Sequence, residues 1–215
     1  MSHVRRLSVR SRWAIVLGLT ALSFVVAQRA SATPPAIPSR ATAQSELDAL
    51  AVMTEGSMSG YSRELFPHWI TVSGTCSARE AVLRRDGSGV TVDAACYPTS
   101  GSWFSEYDAV TLTTPSSVDI DHVVPLAEAW RSGASAWATS RRQSFANDLA
   151  DPQLIAVSAG SNRAKSDQDP SAWMPRAAYR CTYSRLWIGS KHAWDLRLQA
   201  TEKSALQSML NGCAP

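Results

Sequence analysis

Asp121 and His122 stand side by side in Asp119-Ile120-Asp121-His122-Val123-Val124-Pro125, and forty positions after His122 comes Asn162-Arg163-Ala164-Lys165-Ser166-Asp167. These residue types suit phosphodiester hydrolysis. A water must lose a proton as it attacks, and an imidazole titrating near neutrality can take it. Charge growing on the phosphate and the leaving oxygen must be neutralised, a task for a hard divalent cation. Mg²⁺ keeps most of its waters and needs one or two protein oxygens. The Asp121 carboxylate and the Asn162 amide can supply those oxygens. Lys165 lies three residues after Asn162, so on a helix both share a face and the ammonium can reach a phosphate. Arg163 would point elsewhere and could hold a nucleic-acid backbone. Asp119 is a candidate support behind the ligands.

Apolar spacing shows which elements must hold these groups. Val118 to Val124 reads as a strand stopped by Pro125, and Leu154 to Val157 as a short buried strand. On a regular strand Asp121 and His122 face opposite ways, so a break in the pleat near Pro125 is expected to bring them together. If the two strands pair, they form a hairpin with a long helical insertion. Leu126 to Arg131 makes one or two helical turns. Ser135 to Leu149 follows as a second helix, with Trp137, Arg141, Phe145 and Leu149 on one face. A helix from about Ser161 closes the motif. Upstream, the pattern predicts a linker over 33–45, a short helix over 45–53, a helix over 77–85 and a strand over 90–96. A turn over 98–101 and a strand from Trp103 to Leu112 come next. Downstream come a helical turn over 171–175 and helices over 176–189 and 201–210, the last capped by Thr201. Trp130, Trp137 and Trp173 read as core. Glu128, His68 and His192 read as surface or structural, and Asp167 as a brace for Lys165 or Arg163.

The amino terminus carries an address. Arg5, Arg6, Arg10, Arg12 and Arg29 accompany an apolar run from Trp13 to Ala27, followed by Ala30-Ser31-Ala32. That is the pattern of a secretory signal over residues 1–32, with no stable membrane insertion after cleavage. Removing it takes away five positive charges, and the formal charge falls from +3 to −2. The mature chain is therefore not a nucleic-acid binder by bulk charge; any phosphate contact must be local. Cys76, Cys96, Cys181 and Cys213 all lie in the exported part, where an even count favours disulfides. Of the three pairings, Cys76–Cys96 with Cys181–Cys213 keeps each bridge within its own region. No CxxC pair supports a structural zinc.

The two motif segments together resemble the HNH (ββα-metal) nucleases. They are close to the version in RNA-guided CRISPR nucleases and in the C-terminal domain of GmrSD-type restriction enzymes. Gly101-Ser102-Trp103, Tyr107-Asp108 and Phe145-Ala146-Asn147-Asp148 extend the likeness from about Cys76 to Cys213. The resemblance implies an α+β fold with a ββα-metal core over 117–170 inside a domain of 46–215, flanked by a small N-terminal sheet and C-terminal helices. It implies Asp121 and Asn162 as ligands of Mg²⁺ (or Mn²⁺) and His122 as general base. It further implies an endonuclease acting on nucleic acid, DNA with little sequence preference, which with the signal is expected to be secreted and monomeric. The motif's middle asparagine, which props the loop around the base, is replaced by Gln153; Asn147 is a candidate substitute. That replacement and the near-neutral charge favour a rival: a secreted binding or cell-wall-associated protein that keeps the scaffold without catalysis.

Overall fold

The computed structural model of this chain describes Met1 and residues 32–214. The signal expected over 1–32 thus lies, but for its ends, outside the described residues. Among the described residues no helix is long and apolar enough to cross a membrane.

Helix α1 (Arg40–Ala49) starts at Ser39, whose hydroxyl accepts from the Thr42 amide. The linker is therefore shorter than its Pro/Ser/Ala composition suggests: alanine is also the best helix former, and one good cap suffices to begin. Ala43 and Leu47 of α1 are buried. A strap follows, with a single 3-10 turn at Arg63–Leu65. It leads through strand β1 (Thr71–Ser73) to β2 (Cys76–Ser77), which pair antiparallel. Helix α2 (Ala78–Asp86) opens on a reciprocal capping box between Ser77 and Glu80.

Strands β3 (Gly87–Val92), β4 (Pro98–Ser105) and β5 (Val110–Leu112) form an antiparallel sheet in that order. The turn expected at 98–101 is the first half of β4. The chain turns instead at 93–97, where Asp93 Oδ1 accepts from the amides of Ala95 and Tyr97. Pro98 opens the strand, a position proline tolerates. A Cβ on Gly101 would lie 2.6 Å from the Trp103 ring, which accounts for the glycine in Gly-Ser-Trp.

Strand β6 (Val118–His122) is followed by α3 (Leu126–Arg131), α4 (Thr139–Ala146), β7 (Leu154–Ser158) and α5 (Ala159–Lys165). β6 and β7 pair antiparallel from Val118↔Ser158 to His122↔Leu154, so the hairpin with its helical insertion forms as the pattern predicts. Within the insertion α4 is shorter than 135–149. Ala134–Ala136 is a separate 3-10 turn after Gly133, and Trp137 packs on Phe145 and Trp194 from outside the helix. Helices α6 (Arg180–Ala193) and α7 (Ala200–Asn211) complete the fold. The cap of α7 is Gln199, whose backbone amide donates to the Glu202 carboxylate at 3.1 Å, rather than Thr201. Leu206 and Leu210 are buried as expected.

The hairpin lies between two apolar clusters. Val118, Ile120, Leu154 and Ala156 pack with Val82, Leu83 and Trp103 under α2 and β4. Ile155 and Val157 join Phe66, Trp130, Phe145, Tyr183 and Trp187 in the larger core. Disulfides join Cys76 to Cys96 and Cys181 to Cys213. Glu128, expected in solvent, is fully buried. It pairs with Lys191 at 2.9 Å, and Lys191 pairs with Glu202 at 2.6 Å, tying α3, α6 and α7 together. Nothing in the spacing of these three residues shows that they meet.

Candidate functional site

A cleft of about 210 Å³ runs along β6 and is lined by Asp121, His122, Asn162, Tyr61 and Arg63, among others. β6 has a partner on one side only. The ladder persists through His122↔Leu154, so the expected break in the pleat does not occur. The open edge makes it unnecessary, because a cleft beside a free edge meets side chains from both faces of the strand.

Asp121 is buried. Its Oδ2 accepts from the Tyr107 hydroxyl at 2.7 Å and its Oδ1 from Lys165 Nζ at 2.9 Å. Burial raises the Asp121 carboxyl above its usual range, against the opposing pull of Lys165 and Tyr107. Burial likewise lowers Lys165, and Asp121 opposes that shift. Lys165 has no exposed surface and also donates to the His122 carbonyl at 3.0 Å. The sequence places this ammonium near a phosphate; the structure turns it inward instead, because the inner face of the short α5 lies directly on β6. Asp167 does not brace it or Arg163. It pairs with Arg131 at 3.0 Å.

Asn162 Nδ2 donates to Asp119 Oδ2 at 3.1 Å. A carboxylate only accepts, so Asp119 fixes the amide's orientation and leaves Oδ1 as the unclaimed atom. Asp119 thus lies against the Asn162 amide rather than in the cleft lining. Arg163 is exposed and lies outside the cleft lining.

His122 Nε2 lies 2.9 Å from the Ala146 carbonyl. The carbonyl can only accept, so Nε2 bears the proton and Nδ1 carries the free lone pair. Among the described residues no hydrogen bond engages Nδ1. Burial pulls the ring's pKa down to about 3; the Ala146 bond opposes this, and the charges of Arg63, His68 and Lys165 reinforce it. The imidazole is thus neutral at pH 7, and the near-neutral titration expected from the sequence is not met, because burial disfavours its charged form. Trp69 stacks on it, with centroids 5.2 Å apart and planes at 27°. Trp69 adopts φ +60°, a left-handed conformation that costs a bulky residue about 1–3 kcal/mol. Its neighbours hold it there: Asn147 Nδ2 donates to the Pro67 carbonyl at 2.8 Å, and Asn147 Oδ1 accepts from the Ile70 amide at 3.0 Å. Asn147 thus supports the strap above His122.

Gln153 supports the other side. It is fully buried, accepts from the Val124 amide at 3.1 Å and donates to the Val124 carbonyl at 2.8 Å. Ser190 of α6 donates to the same Oε1 at 2.6 Å. The residue that departs from the motif therefore grips the loop just after His122, and Asn147 supplements it rather than substituting for it. Tyr107 and Trp69 were assigned no role by the sequence. Tyr107 sits within the motif likeness, but no local pattern marks Trp69.

The residues fit a hard cation. Asp121 keeps unused lone pairs on both oxygens, Asn162 keeps Oδ1, and two protein oxygens are a set that Mg²⁺ accepts. Among the described residues no three of His, Cys, Asp and Glu form a cluster able to hold a metal.

The sequence profile described as "GmrSD restriction endonucleases, C-terminal domain" matches residues 91–209. An "Uncharacterized secreted protein" of Arthroderma benhamiae is 58% identical over 196 residues, covering 91% of this chain and 96% of its own. No solved structure matches.

Proposed function

Since this chain belongs to the family of the C-terminal domain of GmrSD restriction endonucleases, we propose that it is an exported, metal-dependent endonuclease of the HNH type. It hydrolyses phosphodiester bonds of nucleic acid, DNA with little sequence preference. The observation that carries this reading is that His122, with no hydrogen bond on Nδ1 among the described residues, lines one cleft together with Asp121 and Asn162. His122 Nδ1 takes the proton of the attacking water. Nε2, held by Ala146, keeps the ring in the tautomer that can do so. Asp121 and Asn162 would hold Mg²⁺ or Mn²⁺. That ion, when bound, neutralises charge on the phosphate and leaving oxygen. Lys165 acts from behind, keeping Asp121 ionised and in place, and Asp119 aims the Asn162 amide. Export is supported by the amino-terminal signal pattern, the two disulfides and the likeness to a secreted protein of Arthroderma benhamiae.

The test is nicking of supercoiled plasmid by the purified exported protein with Mg²⁺, with Mn²⁺ and with EDTA, beside a His122→Ala variant. Nicking is expected with either metal, and none with EDTA or from the variant. Equal nicking by the variant at an unchanged unfolding midpoint overturns the mechanism, and no nicking by the parent protein favours the non-catalytic scaffold.

A further inference from the structure

Resting on that hydrolytic reading, we infer that Arg63 is a substrate-binding residue that meets the phosphate being cleaved, delivered from a strap that precedes the family match at residue 91. The cleft is short of positive charge. Its lining includes Asp121 and Asp167, and among the lining residues Arg63 is the one cationic side chain. The lysine of the motif cannot serve, since Lys165 is enclosed and engaged by Asp121 and the His122 carbonyl. With Lys165 and Arg131 already held by Asp121 and Asp167, a phosphodiester entering the cleft needs a further cation that is free to turn toward it.

Arg63 is built for that. Its side chain is exposed and forms no hydrogen bond or ion pair among the described residues. The backbone around it is fixed. Phe66 is fully buried and meets Phe145 edge-on at 6.3 Å and Trp130 at 6.5 Å. The Leu65 carbonyl accepts from Arg142 Nε at 2.8 Å, and the Pro67 carbonyl accepts from Asn147. An anchored turn carrying an unengaged guanidinium at the cleft is the arrangement a bidentate phosphate contact requires. The same strap places Trp69 on His122, so the base and the phosphate-binding group are set by one segment.

Arg63→Gln, Arg63→Lys and His122→Ala are compared in the full exported chain. Plasmid nicking with Mg²⁺ gives kcat/KM. Anisotropy of a fluorescein-labelled single-stranded oligonucleotide in EDTA, across a salt series, gives the number of phosphates neutralised. Arg63→Gln should keep the parent unfolding midpoint and lose about 100-fold in kcat/KM. Its binding slope against log salt should fall by about 0.7, the loss of one phosphate contact. Arg63→Lys should regain the slope and part of the rate. Parent-like nicking or an unchanged slope in Arg63→Gln overturns the inference. If His122→Ala nicks like the parent, the hydrolytic reading fails, and the salt slope alone still decides whether Arg63 meets a phosphate.

Discussion

At the residue scale, the site is a set of groups each made single-purpose by its partner. Asp119 turns the Asn162 amide, Ala146 selects the His122 tautomer, and Lys165 neutralises Asp121. The last pair gives a direct prediction. Removing one member of a buried ion pair leaves an uncompensated charge and costs about 3–5 kcal/mol. Lys165→Met should destabilise the chain by that order in urea unfolding, and adding Asp121→Asn should recover a large part of the loss. A change below about 1 kcal/mol, the scale of an exposed pair, would count against a buried, mutually neutralising pair. That Asp121, His122 and Asn162 share one cleft was legible because adjacent or closely spaced polar residues carry their possible chemistry in their types. The burial of Lys165 was not, because helical spacing gives the face a residue occupies and not what that face packs against.

At the scale of elements, the hairpin was legible where short apolar runs end at proline or helix signals. β6 and α3 fall where the pattern puts them, and β7 pairs as required. α4 was over-extended because Trp137 and Leu149 continue the helical period without belonging to the helix. The grip of Gln153 could not be read at all, since it joins residues 29 apart and a third on α6. It is testable. Gln153→Ala leaves the amide and carbonyl of Val124 buried without partners, at about 1–3 kcal/mol for each group. A loss of about 2–4 kcal/mol is expected by denaturant unfolding, with nicking reduced further than stability accounts for at a temperature where the variant is folded. Parent-like activity would mean that the loop after His122 needs no such support.

At the scale of the whole molecule, the α+β class and both disulfides were legible from strand-like and helical periods and from an even cysteine count in an exported region. The ionic link among α3, α6 and α7 was not, and it makes stability depend on pH. Burial, with the Glu128 charge nearby, lifts Glu202 to about 7, against the pull of Lys191. The native chain thus holds this proton more tightly than the unfolded chain, whose carboxyl titrates near 4.5. The stability it confers is fully present below about 4.5 and is lost as pH rises through about 7. Unfolding midpoints measured from pH 5 to 8 should fall in the parent, and Glu202→Gln, which stays neutral, should lack that component of the fall. Parallel curves would count against it. The His122–Ala146 bond also reaches across the molecule. Ala146 ends α4, so its carbonyl is one of the four a helix leaves unpaired, and the imidazole serves as the end-cap of the inserted helix. A segment joining two strands is ordinarily where insertions and deletions drift freely over evolutionary time. Here a change of length that shifts the end of α4 would move the carbonyl that holds the His122 Nε2 proton and, with it, the lone pair on Nδ1.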